Sequence, residues 1–150
     1  MAQTTGAMSM RDAKVELSTN GTVWTDVSGF FSSVEVSGGE RDVSEKKTAS
    51  GDTPIITIGK RAGMDIKVST VYTEAASEPF EIVNTAYEAG SALYVRWSPK
   101  GGQSGEKQFT SGVGTALNPV YPSGSVENAD AILTEFTVRV ATIVPSTVSP

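Results

Sequence analysis

Residues 65–101 read DIKVSTVYTEAASEPFEIVNTAYEAGSALYVRWSPKG, and their hydrophobic period changes twice. Ile66, Val68, Thr70 and Tyr72 alternate with polar residues, as on one face of a strand. Phe80, Val83, Ala86 and Tyr87 then recur at helical spacing and form one apolar stripe. Leu93, Val95 and Trp97 return to alternation. Ser77 is placed to cap the intervening helix. Glu78 and Glu81 put negative charge in its first turn, where the helix dipole favours it. Pro79 is tolerated there because first-turn amides have no intrahelical partner. Gly90 stops it with a left-handed cap. One short helix cannot close a core alone, so its stripe, with Phe80, Val83 and Tyr87 as packing residues, must cover an apolar sheet face.

Upstream, 13–18 (AKVELS) and 22–27 (TVWTDV) are strands joined through Asn20-Gly21, a strong hairpin signal. Phe30-Phe31 read as a corner plug, and 33–37 (SVEVS) alternates again. Residues 38–52 (GGERDVSEKKTASGD) have only Val43 and Ala49 as apolar side chains and mix both signs of charge. Such a stretch cannot bury itself, and a polar loop of this length in a compact domain is commonly functional or disordered. It is either a solvated loop or an arm that orders against a neighbouring subunit. In the second reading Gly39, Glu40, Arg41, Asp42, Glu45, Lys46, Lys47 and Asp52 form the contact, with charges pairing across it. Next, 53–59 (TPIITIG) is a β-branched strand, and its consecutive isoleucines predict cover on both faces by a helix, a second sheet or a subunit.

Downstream, 107–110 is a short strand and 112–130 reads as irregular. Residues 133–144 (LTEFTVRVATIV) form the longest alternating run, with Phe136, Val138, Val140 and Val144 on one face. The segments 1–12 and 145–150 read as a flexible arm and a polar tail of one domain. The tally is about seven or eight strands and one helix near residues 78–89, a mainly β fold built as a sandwich or a rolled open barrel.

The chemistry-bearing residues are sparse. The chain of 150 residues has no Cys and no His, so disulfides and Ser–His–acid or Cys–His catalysis are excluded within it. The Glu78/Glu81 pair is better explained by the helix dipole than by catalysis. Gly112-Val113-Gly114 lacks the Lys and helix of a phosphate loop, and Glu127, Asn128 and Asp130 lack cation-loop spacing. The reading is a non-enzyme with no cofactor or metal. The start of the chain lacks the basic and apolar regions of a secretory signal, and no run is apolar enough to span a membrane. The net charge of −5 disfavours nucleic-acid binding by counterion release.

In sequence, VELSTNGTVWTDVSGFFSSVEVSGG (15–39), ITIGKR (56–61) and VSTVYTEAASEPFEIVNTAYEAGSALYVRWSP (68–99) resemble the major tail protein, or tail tube protein, of long non-contractile-tailed phages. The likeness extends over residues 14–144 and lies in the order of elements. It implies homo-hexameric rings stacked into a tube, each subunit lending strands to an inner β-barrel, with the helix outside and the long loop and arms bridging copies. It also implies tape-measure and tail-terminator partners, assembly in the host cytoplasm, a place in the virion tail, and transient non-specific passage of genome DNA. Related rings form the tubes of contractile tails and of type VI secretion. Acids on outer strand faces, Glu16, Glu35, Asp65 and Glu135, are the candidates to line such a lumen, where an acidic or neutral wall lets DNA slide. The competing reading is an Ig-like virion decoration domain or a host- or glycan-binding sandwich, which calls for an exposed aromatic cluster.

Overall fold

Strand alternation divides the chain into two apolar sheet faces that close on one another. The computed structural model describes residues 2–75, 78–127 and 129–150. In chain order its elements are β1 (Lys14–Ser18), β2 (Thr25–Asp26), β3 (Phe31–Gly38), β4 (Arg41–Lys46), β5 (Ile55–Arg61), β6 (Met64–Val71), α1 (Pro79–Ala89), β7 (Tyr94–Ser98), β8 (Lys107–Ser111), β9 (Gly114–Ala116), β10 (Leu133–Val140) and β11 (Ile143–Thr147). The strands pair antiparallel into a five-stranded sheet, β11-β8-β7-β1-β2, a four-stranded sheet, β3-β6-β10-β9, and a separate hairpin, β4-β5. The mainly β fold with a single helix is thus the one the sequence predicts.

Val15, Leu17, Val95 and Trp97 of the first sheet meet Ile66, Val68, Phe136, Val138 and Val140 of the second in one buried cluster. The two sheets touch edge to edge where Leu93 bridges to Gly114. A Cβ at Gly114 would lie 2.5 Å from both the Leu93 carbonyl oxygen and a Val138 methyl, so the seam closes only around glycine. β6 and β10 pair over eight rungs, Leu133↔Val71 to Val140↔Met64. Between them the buried hydroxyls of Thr70 and Thr134 bond at 2.9 Å, which satisfies both inside the core.

The helix stripe is buried at its centre but not at Tyr87, which was expected to pack. Val83 and Ala86 are buried, Phe80 meets Tyr72 edge to face at 5.4 Å, and Tyr87 stays 37% exposed at the stripe's margin. Gly90 ends the helix with left-handed backbone (φ 63°). Glu78, not a first-turn residue, holds the N-cap position and makes no side-chain cap bond. Its buried carboxylate turns back to accept the Thr73 amide (3.2 Å) and hydroxyl (2.8 Å). Ser77, expected as the cap, lies outside the described residues.

Several boundaries differ from expectation. The run 133–144 is two strands in two sheets: the chain leaves β10 at Val140 and re-pairs as β11 with β8. Val144 consequently faces solvent rather than the core. The supposed tail is tied down, because Pro145, Ser146 and Thr147 belong to β11 and Val148 bonds to Glu106. Pro at an outer strand leaves the ladder intact, since its missing N–H is needed by no neighbour. The 112–130 stretch contains β9. The strand after Asn20-Gly21 shrinks to β2, because Asn20 and Ser18 bond the intervening amides in a wider turn.

Candidate functional site

Two features of the surface are not explained by the packing of one chain: a projecting hairpin and a charged sheet face.

The segment read as a polar loop, 38–52, is for its first half a strand. β4 pairs with β5 in the order Val43↔Ile58, Ser44↔Thr57, Glu45↔Ile56, Lys46↔Ile55. The hairpin extends β3 and β6, since Gly39 N–H bonds the Gly63 carbonyl (3.1 Å) and Ala62 N–H bonds that of Glu40 (2.8 Å). Both Gly38 and Gly39 hold positive φ (84° and 83°) at this junction. Every residue of both strands is exposed. The β-branched residues of β5 hold the extended conformation that the mixed charges of β4 alone would not.

Alternation then sorts the side chains. Val43, Ile56 and Ile58 share one face with Glu45, while Ser44, Thr57, Ile55 and Lys46 share the other. Ile55, Ile56 and Ile58 are 56%, 57% and 70% exposed. The cover predicted for the Ile55-Ile56 strand is therefore not supplied by the helix or by either sheet of the same chain. Among the described residues, Arg41, Asp42, Glu45, Lys46, Lys47 and Asp52 make no ion pair. Glu40 and Gly39 stand at the hairpin's base, bonded to Ala62 and Gly63. An apolar face on a two-stranded projection is marginal in water by itself and marks a contact surface.

The second feature brings together three of the four acids singled out. The core-facing residues of β6 and β10 alternate with Asp65, Lys67, Ser69, Glu135, Thr137 and Arg139 on the outward face. β3 adds Glu35 opposite Lys67 and Ser37 opposite Asp65. Arg139 grips Asp65 with two hydrogen bonds, 2.8 Å from Nε and 2.9 Å from a terminal nitrogen. Lys67 Nζ lies 3.3 Å from Glu135, which also accepts from the Ser69 hydroxyl at 3.2 Å. The bonded Arg139 guanidinium holds the Asp65 carboxyl below the usual carboxylate range, and Asp65 in turn raises Arg139. The face is a mosaic of Glu35, Asp65 and Glu135 against Lys67 and Arg139, close to neutral rather than strongly acidic.

Glu16 is elsewhere. It lies on the outer side of the five-stranded sheet, where Arg96 bonds it at 2.6 Å and Lys14 Nζ approaches to 3.3 Å. Arg96 in turn stacks 4.2 Å above the Trp24 ring. This knot fixes the β1–β7 pair and leaves Glu16 almost no water. Trp97 stacks on Phe109 inside the fold, so neither tryptophan offers an open platform.

Among the described residues, no group of three or more His, Cys, Asp or Glu is placed to hold a metal. Of the trio Glu127, Asn128 and Asp130, Asn128 lies outside the described residues. Sequence reasoning missed one surface altogether: an open hollow of about 520 Å³ between residues 123–126 and 130–133. Val126, Ile132 and Leu133 expose apolar surface there. The isolated apolar residues among Gly, Pro and Ser carry no periodic signal that would have found it.

No protein-family model and no curated protein matches the chain. Solved structures do. A chain of the PVC sheath–tube complex, an extracellular contractile injection system in its extended state, superposes with a TM-score of 0.71 at 14% identity, over 96% of this chain and 94% of that one. A chain of the SPP1 tail tube gives 0.67 at 12% identity over 93% and 78%. A chain of the native gene transfer agent virion gives 0.67 at 10% identity over 94% and 100%. At these identities the likeness is one of fold, and it is the tail-tube fold anticipated from the order of elements.

Proposed function

We propose that this chain is a structural tube subunit of a phage-like particle. Copies close into six-membered rings, the rings stack into a tail tube, and genome DNA passes through the lumen without being held. The observation that carries the reading is the β4–β5 hairpin, whose apolar face has no cover within its own chain. Burying the exposed remainder of Val43, Ile56 and Ile58 on that face, together with Ile55 on the other, releases roughly 4–7 kcal/mol per copy before ordering costs. That is the gain expected of a segment meant to close on a second copy. The charged contact residues of 38–52 then find partners across copies.

The outward face of β3-β6-β10-β9 is the candidate lumen wall. Its Lys67 and Arg139 are already engaged by acids, so few cations remain to displace counterions from phosphates, and DNA gains little by binding. Glu35, Asp65 and Glu135 belong to this wall; Glu16 does not. The protein then resides in the virion tail, with tape-measure and terminator proteins as its other neighbours. The glycan-binding or decoration reading is less well supported, since Arg96 stacks over Trp24 and Trp97 packs on Phe109 inside the fold.

Negative-stain microscopy of the concentrated purified protein tests this. Rings with six subunits, or tubes, are expected. A monomer at all concentrations, both in solution and in particles, refutes it.

A further inference from the structure

We infer that the hollow between residues 123–126 and 130–133 receives the β4–β5 hairpin of a second copy, so that each subunit carries the plug at one end and its socket at the other. The inference rests on the tube reading and names the surface the hairpin needs.

Placement comes first. The four-stranded sheet has two ends, fixed by register. At one, Gly38, Met64 and Val140 are paired neighbours, and the hairpin leaves from there. At the other, Leu133 pairs with Val71, and Leu133 also lines the hollow. The eight residues of β6 separate plug from socket by roughly 25 Å. A plug and a socket at opposite ends of one subunit make a head-to-tail contact, the kind that repeats from copy to copy and that a stack of rings requires.

Chemistry fits as well. The plug's apolar face carries Val43, Ile56 and Ile58, and the hollow exposes Val126, Ile132 and Leu133. Charge is complementary. Residues 40–61 contain Arg41, Lys46, Lys47, Lys60 and Arg61 against Glu40, Asp42, Glu45 and Asp52, a net +1 in a chain of net −5. The only charged residues of 112–134 are Glu127 and Asp130, both acidic. The slightly basic projection thus points away from an acidic body and toward Glu127 and Asp130 of the next copy. Lys46, which ends β4 on the face opposite Val43, and Lys47, just beyond it, are the cations nearest the hairpin's tip.

The chain has no cysteine, which makes the test direct. Ile58→Cys and Val126→Cys are placed in one chain, and assembled protein is oxidised. A ladder of covalent multimers on a denaturing gel is expected, with neither single variant going past a dimer. In parallel, Val126→Asp changes a side chain that is wholly in solvent, so circular dichroism should be unaltered. It should nevertheless raise the concentration for half-assembly by about tenfold or more, as should Lys46→Glu with Lys47→Glu. Tubes that form normally from Val126→Asp, with no ladder from the double-cysteine chain, overturn the socket and leave the tube reading standing. A wild-type chain that never assembles overturns both.

Discussion

Deleting residues 40–62 should remove assembly and spare the fold. The cut is chosen from the register. Gly38 and Met64 are paired neighbours, and Gly39 N–H already bonds the Gly63 carbonyl at 3.1 Å. The shortened chain therefore turns through Gly39-Gly63, a two-residue loop of the composition tight hairpins favour. The core loses nothing, because every residue of β4 and β5 is exposed. An isolated hairpin is marginal, and loop length affects closure entropy only logarithmically, so the change in unfolding free energy should stay within about 1 kcal/mol. For a chain of this size that is a melting shift of about 2–4 °C. The forfeited burial, roughly 4–7 kcal/mol per copy, falls entirely on assembly. Thermal melts by circular dichroism read the first quantity, and sedimentation with negative stain reads the second. A melting temperature lowered by more than about 10 °C would mean the hairpin supports the core. Tubes that persist without it would mean that copies are joined by other surfaces.

Three further outcomes are expected. Asn84 Nδ2–H donates to the Val120 carbonyl (2.6 Å) while its Oδ1 accepts the Val120 amide (2.7 Å). Asn84→Ala leaves both groups of a buried residue unpaired and should cost about 2–4 kcal/mol in urea unfolding, with faster amide exchange at Val120. Gly114→Ala forces a methyl into the seam between sheets and should destabilise by about 1–3 kcal/mol in the same assay; a neutral result would show that the seam relaxes freely. For Asp65, the carboxyl lowered by Arg139 contributes stability above its unfolded value of about 3.9, lost as pH falls through the lower folded value. The stability difference between wild type and Asp65→Asn should thus be full at neutral pH and close in strong acid; a gap independent of pH refutes the pairing.

The elements with a regular period were legible in the sequence. Ile66, Val68 and Thr70 on β6 and Phe136 and Val138 on β10 sit where alternation puts them, and the Val83–Ala86 stripe is buried. What escaped depends on contacts distant in sequence. Arg41 to Lys46 reads as loop because β4 alone is polar, and only pairing with Ile55–Arg61 makes it a strand. Ala141 and Thr142 do invert the alternation, apolar at an outside position and polar at an inside one, but so brief a lapse in a run of strand formers does not reveal that the chain changes sheets between β10 and β11. Asp65, Glu135 and Glu35 share a face because three strands pair in one register, whereas Glu16, equally alternating, belongs to another sheet. Gly114 looked like a mere loop glycine, and its reason is the Leu93 backbone, which lies outside its local sequence.

The direct continuation of β3 into β4 and of β5 into β6 has a mechanical consequence. Force pulling on the hairpin enters the body along the strand axes. β6 is flanked by β3 and β10, the latter over eight rungs. Such a load shears many hydrogen bonds together instead of unzipping them singly. In the proposed tube, links anchored this way would resist tension along its length.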